Sequence, residues 1–486
     1  MKKPKLLILV LFQNLIDERP YFALTPAPPL PGILLAGMTP PIVEIEVLHE
    51  MVRPIDYDTN ADFIAISFMD YLAPHAIEAA LKFREKGKLV IGGGKFASTF
   101  PELVLPYFDS ILVGEAQGVW PKIVEDLISG NLKKIYHAEH YPSLKDIPPP
   151  RYDLVESKFS VPIVTETSRG CIHSCTYCQL NIKPIPFRTR PVKDVIRDLT
   201  STQKLPLYKK KMAMILDNHF SGDLAHAKKL LKEIAKLNYW AIGFQYSMES
   251  LRDDEFIDLL SKANCRMSFL GMESLNEKSL IAVQKKQNKV NEYKEYFDKL
   301  HRKGILTFVG LMFGLEEDTN EYYEELPELL DEIGAAVILP SITVPIFGTP
   351  LYNQLNDEHR IHDHDLSHYD GDHLVFKHNN LSEDDIYFAY KRVNKLFYSP
   401  SKIIRRWIKL INQQSINENI AKFILKIFVI TFIYFKLSVF QRHHAKKRVF
   451  NKFKKVKKKN IGAGKVQSLI SDKLIPGFVN RYNMFR

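Results

Sequence analysis

Two series of short apolar runs, each run set off from the next by an amphipathic stretch, leave this chain little choice but parallel α/β architecture. In residues 1–136 the runs Lys5–Phe12, Val43–Val47, Asp62–Phe68, Lys88–Gly92 and Asp109–Gly114 read as strands. Strands buried on both faces have this continuous, rather than alternating, look. Pro74–Glu85 and Gln117–Ile128 carry helical spacing, the former with a proline suited to a first helical position. The expectation is an open, doubly wound, Rossmann-like sheet whose ligand edge lies at the carboxyl ends of its strands. Met1-Lys2-Lys3 followed by Leu6 to Phe12 imitates a secretory leader. Gln13, Asn14, Asp17, Glu18 and Arg19 then follow without a small-residue cleavage site, so a buried first strand is expected instead.

A proline-dense stretch, Pro142 to Pro150, marks a linker over 137–160. The second series follows: Val161–Thr165, Met212–Asp217, Ala241–Tyr246, Arg266–Met272, Leu306–Phe313 and Ala335–Leu339. Helices intervene, as at Asp223–Leu237, where Leu224, Ala227, Leu231, Ile234 and Leu237 share one face beneath an Asp223 cap. Such a series over 161–345 suits a partial or complete parallel barrel of the TIM type. Residues 346–400 read as an accessory region, with a His/Asp-rich stretch from His359 to His373 and a helix near Glu383–Phe397.

Charge separates the last 86 residues from the rest. The chain of 486 residues has 67 Lys+Arg against 56 Asp+Glu, a net of +11. Residues 401–486 hold 21 Lys+Arg against Glu418 and Asp472, or +19, which leaves −8 for the remainder. A mainly helical basic tail on an acidic body points to an anionic surface, membrane or nucleic acid. Ile420–Phe440 is rich in Ile and Phe but interrupted by Lys422, Lys426 and Lys436; only Ile427–Phe435 runs free of charge, well short of the roughly 20 residues a spanning helix needs. Ten Lys+Arg follow between Arg442 and Lys459. An interfacial, membrane-associating segment is expected. RNA, and a merely solvated basic tail, are the alternatives.

Four cysteines cannot staple a chain of this length, and Cys171, Cys175 and Cys178 lie within eight residues, as ligands in a reducing compartment do. They follow the strand Val161–Thr165, so a loop at the mouth of the second sheet converges three thiolates. Three thiolates fill three irons of a 4Fe-4S cube and leave the fourth open, whereas structural zinc closes all four positions. A zinc site completed by His173 or His219 is the alternative. Cys265 opens a candidate strand and reads as a buried, inert thiol.

The Cys171-Ile-His-Ser-Cys175-Thr-Tyr-Cys178 spacing, with Tyr177 before the last cysteine, resembles the signature of the radical S-adenosylmethionine (SAM) superfamily. The resemblance implies a 4Fe-4S cluster on Cys171, Cys175 and Cys178 that reductively cleaves SAM, yielding a radical able to abstract hydrogen from an unactivated carbon. Asp217-Asn218-His219-Phe220 is similar to an Asp-Asp-Asn-Phe element of a cobalamin-binding branch, firm for Asp217 and Phe220. Gly271-Met272-Glu273-Ser274 is similar to that branch's Gly-x-Glu-Ser/Thr. Tyr177, Asp217, Asn218 and Glu273 are thereby implied as SAM contacts. Ser67, Gly92, Gly93, Gly94, Gly114 and Glu115, at the ends of candidate strands, are implied as cobalamin contacts. With Pro149 to Leu154 upstream and Phe313-Gly314-Leu315, Gly348 to Tyr352 and Tyr369-Asp370-Gly371 downstream, the likeness extends over nearly 400 residues to the branch containing hopanoid C-2 methylases. No DxHxxG follows the first strand, so no histidine of that motif ligates cobalt. The function implied is cobalamin-dependent methyl transfer to a lipid-like substrate, with an electron donor such as flavodoxin or ferredoxin, in the cytoplasm and peripheral to the inner face of the membrane. A cobalamin-independent rearrangement, RNA modification and a metal-stabilised adaptor are the competing readings.

Overall fold

A computed structural model describes residues 3–12, 27–138, 141–202, 205–414 and 420–452. The polar residues Gln13 to Arg19 and the lysine-rich run Lys454 to Lys459 lie outside the described residues. The chain divides into two compact units, the first comprising Met1–Phe159 with Ile361–Val375, the second Ser160–Arg360 with 376–452.

In the first unit, strands β1 (Lys5–Val10), β2 (Glu44–His49), β3 (Phe63–Ser67), β4 (Leu89–Gly93), β5 (Ser110–Val113) and β6 (Ile135–His137) form one parallel sheet in the order β2-β1-β3-β4-β5-β6. Leu6, Leu7, Ile8 and Leu9 are all buried, which is why β1 is continuously apolar. The order reverses between β1 and β3, creating a switch point at their carboxyl ends, where Val10 registers with Ser67. Five of these strands lie within two residues of the apolar runs read from sequence, and the helices Ala73–Glu85 and Trp120–Ile128 fall where spacing placed them. Helix Leu30–Met38 and the edge strand β6 were not anticipated. The helix is approached through Pro28 and Pro29 and contains Pro31 and Gly32, residues that signal a loop. A side chain on Gly32 would meet Val10 Cγ2 at 2.3 Å, so that glycine lets the helix lie directly on β1. Ile361–Val375, the His/Asp-rich stretch, groups with this unit although it is distant in sequence.

The second unit opens with β7 (Ile163–Thr165) and a short antiparallel pair, β8 (Ser168–Arg169) with β9 (Arg188–Thr189). The strands β10 (Met212–Ile215), β11 (Ala241–Tyr246), β12 (Cys265–Glu273), β13 (Leu306–Phe313) and β14 (Val337–Ile342) follow, and a parallel sheet runs β14-β13-β12-β11-β10-β7. Every neighbour in this order is also the next main strand in sequence, as right-handed βα crossovers produce. The barrel is partial, with six strands and with β7 and β14 as its edges. Asp223 caps Leu224–Ala235 by accepting from His226 N–H, as the sequence suggested, and Glu383–Phe397 begins at a Ser382/Asp385 capping box. The chain continues in helices Pro400–Asn412 and Ile420–Lys452, which pack against one another and against this unit. Among the described residues, no helix is long and apolar enough to cross a membrane.

Candidate active site

The three cysteines hang from the β8–β9 pair, whose register Ser168↔Thr189 and Arg169↔Arg188 ties the two ends of the loop together. Gly170 turns the chain into this loop with φ +88°, and a side chain there would meet Ile185 O at 2.7 Å and Pro186 O at 2.6 Å. Only glycine meets both demands. Within the loop, Asn181 Nδ2 donates to Cys175 O at 2.8 Å, and Thr176 N–H donates to Val283 O at 3.1 Å. Burial pushes the Cys171 and Cys178 thiols up, and the neighbouring cysteine sulfurs push them further. A cation that accepts thiolates would remove this penalty, so the donor set fits a thiolate-bound metal cluster. Cys265 stays apart, buried at the start of β12 with its sulfur facing Met267 O and Ser268 Oγ; its thiol is pushed up to about 12 by burial. Three sulfur donors remain at the loop, as the open-iron expectation requires.

Asp217, just beyond β10, is 2% exposed and accepts from four donors. Thr167 N (2.6 Å), Thr167 Oγ1, Ser168 N (3.2 Å) and Ser168 Oγ (2.9 Å) all converge on its carboxylate. These are the residues leading directly into Gly170 and Cys171, so Asp217 anchors the entry to the cysteine loop. A SAM contact, implied by the resemblance, would have to share a carboxylate already engaged on every side. Asn218 next to it is exposed, and neither residue caps the following helix, a task that falls to Asp223. Phe220 is buried against Phe244.

His219 places Nδ1 3.7 Å from Cys171 Sγ while Nε2 sits 2.6 Å from Ser247 Oγ. His173, inside the cysteine loop, pairs through Nε2 with Glu249 Oε1 at 2.7 Å. Donor atoms of His173, His219 and Glu249 lie within 4.8 Å of one another, close enough for one cation. Burial, and then the His173 charge, lower His219 to about 4, which keeps its ring neutral at physiological pH.

On the other side of the loop, Tyr177 OH donates to Glu273 Oε1 at 3.2 Å, and Lys285 Nζ reaches Glu273 Oε1 at 2.8 Å and Tyr177 OH at 3.1 Å. Glu273 closes β12 at a register shift and holds φ +65°, an uncommon backbone for a non-glycine residue that marks functional sites. The glycines around it explain how the pair fits. A side chain on Gly271 would meet Glu273 Oε1 and Lys285 Nζ, each at 2.7 Å, and one on Gly310 would meet Glu273 Oε2 at 3.1 Å. The structure thus joins Tyr177 to Glu273, two residues that the resemblance implied separately as SAM contacts, and adds Lys285, which the sequence reading missed. Lys285 lies in the polar run Gln284 to Lys289, which reads as a solvated surface; nothing in its spacing betrays burial. Burial lowers its affinity for a proton, but Glu273 and the Cys175 sulfur more than offset this and the ammonium is retained. Lys285→Met should therefore destabilise the unit by about 3 kcal/mol, because it strands a largely buried carboxylate, and a Lys285→Met/Glu273→Leu double variant should recover most of the loss in urea denaturation.

In the first unit the implied cobalamin residues separate. Ser67 and Gly93 end β3 and β4 in register. Gly94 holds φ +98°, where a side chain would collide with Phe68 N, Phe68 O and Ser67 Oγ within 2.9 Å. Gly114 turns at φ +100° with its N–H donated to Ser98 Oγ at 2.9 Å, and Glu115 pairs with Gln117. Gly92 is different in kind: it is buried, and a side chain there would strike Ile111 Cδ1 at 2.7 Å and Phe108 Cδ1 at 2.9 Å, so it serves packing within the sheet. Gly94→Ala should cost this unit about 2–4 kcal/mol through strain and collision, measured by denaturant unfolding.

Residues 165–330 match the radical SAM superfamily. The chain carries a radical SAM domain. The matched stretch runs from the last residue of β7 into the helix after β13, Asn320–Ile333, and includes all three cysteines of the loop. Bacteriochlorophyllide d C-12(1)-methyltransferase of Chlorobaculum tepidum is 23% identical over 79% of this chain and 87% of its own. The hopanoid C-2 methylase of Rhodopseudomonas palustris is 22% identical over 78% of this chain and 73% of its own. Among solved structures, the cobalamin-dependent S-adenosylmethionine radical enzyme OxsB with aqua-cobalamin bound superposes with a TM-score of 0.61 at 14% identity, covering 93% of this chain and 80% of that one. At that identity the superposition speaks for the fold alone.

Proposed function

We propose that this protein is a cobalamin-dependent radical SAM methyltransferase that acts on a lipid-like substrate. The observation that carries the reading is the loop of three thiols at the mouth of an open parallel barrel, with the fourth cysteine withdrawn into the core. When bound, the 4Fe-4S cluster and SAM supply a hydrogen-abstracting radical, and cobalamin supplies the methyl group. Cys171, Cys175 and Cys178 are the cluster ligands in this reading. Asp217 holds the loop's entry strand, and the Tyr177–Glu273–Lys285 group offers both signs of charge beside the cysteines to the amino and carboxylate ends of SAM. Ser67, Gly93, Gly94, Gly114 and Glu115 line the carboxyl edge of the first sheet and are the residues assigned to cobalamin. Support for that cofactor comes from the switch-point topology and from the aqua-cobalamin held by the structural neighbour. Support for an apolar substrate comes from relatives named for a bacteriochlorophyllide and a hopanoid.

The same reading includes a reducing partner of the flavodoxin or ferredoxin kind, a cytoplasmic location and peripheral attachment to an anionic membrane through residues 401–486. The test is the absorption spectrum and cofactor content of anaerobically purified protein, followed by transfer of a labelled methyl group from SAM. About one cobalamin per chain and label in an apolar acceptor are expected. A protein that cleaves SAM with no cobalamin and no methyl transfer would point to the rearrangement chemistry instead.

A further inference from the structure

The helix Ile420–Lys452 is apolar on opposite faces over its first five turns. Val429, Ile430, Ile433 and Tyr434 are buried, with Tyr434 OH donating to Ile403 O at 3.1 Å in the helix Pro400–Asn412. The opposite row, Ile420, Ile424, Phe428 and Phe432, recurs every fourth residue and is 67, 63, 66 and 50% exposed. A helix with one apolar stripe places it on the protein and turns polar residues to water, and one apolar all round is surrounded by apolar matter. This helix has used one face and left the other uncovered among the described residues. Its neighbour repeats the arrangement: Ile403 and Leu410 are buried, whereas Ile404 and Ile408 are 49 and 46% exposed.

Charge narrows what could cover these rows. Helix Pro400–Asn412 contains four Lys+Arg and helix Ile420–Lys452 eight, and neither contains an Asp or Glu. Lys402 and Arg406 are engaged by Asp331 and Lys436 Nζ donates to Ser160 Oγ at 3.4 Å, so both helices stay strongly cationic in sequence. A protein partner or a second copy of this acidic-bodied chain would need an apolar patch rimmed by acids. An anionic bilayer offers both properties everywhere, with acyl chains below and phosphate above. The charges also limit the apolar length: lysines at 422, 426 and 436 leave no uncharged run near the roughly 20 residues that spanning needs, so the segment suits an interface rather than a crossing.

We infer that the outer faces of these two helices, led by Ile424, Phe428 and Phe432, form the surface that docks on an anionic lipid bilayer, with Ile420–Lys452 in the interface plane. This rests on the peripheral-membrane reading above and assigns it to a particular surface rather than to the basic tail at large.

The test uses full-length protein and vesicles of phosphatidylcholine with or without phosphatidylglycerol. Wild type should sediment with the anionic vesicles and only weakly with the neutral ones. The Ile424→Gln/Phe428→Gln/Phe432→Gln variant keeps every charge and alters only exposed positions; its binding should fall by about tenfold or more, with the circular dichroism and SAM cleavage unchanged. A variant that binds as wild type does, while removal of 401–486 abolishes binding, overturns this surface and leaves the tail reading standing. If wild type binds no vesicle at all, both fall. If the variant instead converts a dimer to a monomer in light scattering, with vesicle binding unchanged, the rows belong to a second copy and the inference is overturned.

Discussion

Replacing Cys175 with alanine is expected to abolish SAM cleavage and leave the barrel folded. Cys175 is the most buried of the three loop cysteines, 7% exposed; its sulfur receives a long 4.0 Å approach from Gln287 Nε2 and helps hold the charge of Lys285. Loop position is set instead by backbone groups: Asn181 to the Cys175 carbonyl, Thr176 to Val283, and Leu351 N–H to Thr176 O. Losing a sulfur therefore removes a ligand, not a strut. Iron content should drop from about four per chain towards the level of a protein without its cluster, and 5′-deoxyadenosine should be undetectable, a loss of at least about a thousandfold. The melting temperature of the cluster-free protein should move by no more than a few degrees. Persistent cleavage would remove Cys175 from the ligand set.

Asp217→Ala should damage both the fold and the site, which distinguishes an anchor from a ligand. It strands the N–H groups of Thr167 and Ser168, which are buried and turn directly into the cysteine loop. Each unsatisfied buried donor costs about 1–3 kcal/mol, so a loss near 4 kcal/mol is expected, accompanied by poor iron incorporation. The acid has a pH signature as well. Burial pushes Asp217 up to about 6, despite the hydrogen bonds from Thr167 and Ser168, against about 3.8 for the unfolded chain. Between these values the folded state binds the proton more tightly, so Asp217's contribution to stability falls as pH rises from about 4 to 6. The full effect is on the order of 3 kcal/mol. Asp217→Asn, isosteric and uncharged, should abolish that part of the pH slope in urea titrations, whereas a residue acting only on SAM would leave the slope of the SAM-free protein intact.

Much of the architecture could be read from residue order because buried parallel strands must be apolar throughout. Lys5–Val10, Ala241–Tyr246 and Leu306–Phe313 are unmistakable for that reason. The cysteine loop was legible because three sulfurs in eight residues have few other uses, and Glu273 because Gly271-Met272-Glu273-Ser274 resembles a motif of the cobalamin-binding branch. What escaped depended on distance in three dimensions. Lys285 is surface-like in composition and becomes part of the site only because Gly271 and Gly310 leave room for it. Gly92 and Gly94 look alike as letters, but one packs under Phe108 and the other turns the chain with a left-handed backbone. The stretch 361–375 belongs to the first unit although the whole barrel separates it from β6 in sequence. Likewise, the basic tail's composition suggested lipid, but only the burial pattern separated the row that holds the enzyme from the row left uncovered.

One experiment bears on all of this most directly: anaerobic reconstitution with iron and sulfide, followed by SAM and dithionite. The structure predicts about four irons per chain, an electronic spectrum that shifts when SAM is added, and 5′-deoxyadenosine as product. A chain that instead takes up a single zinc ion, closed by His219 beside Cys171, and leaves SAM intact would contradict the account.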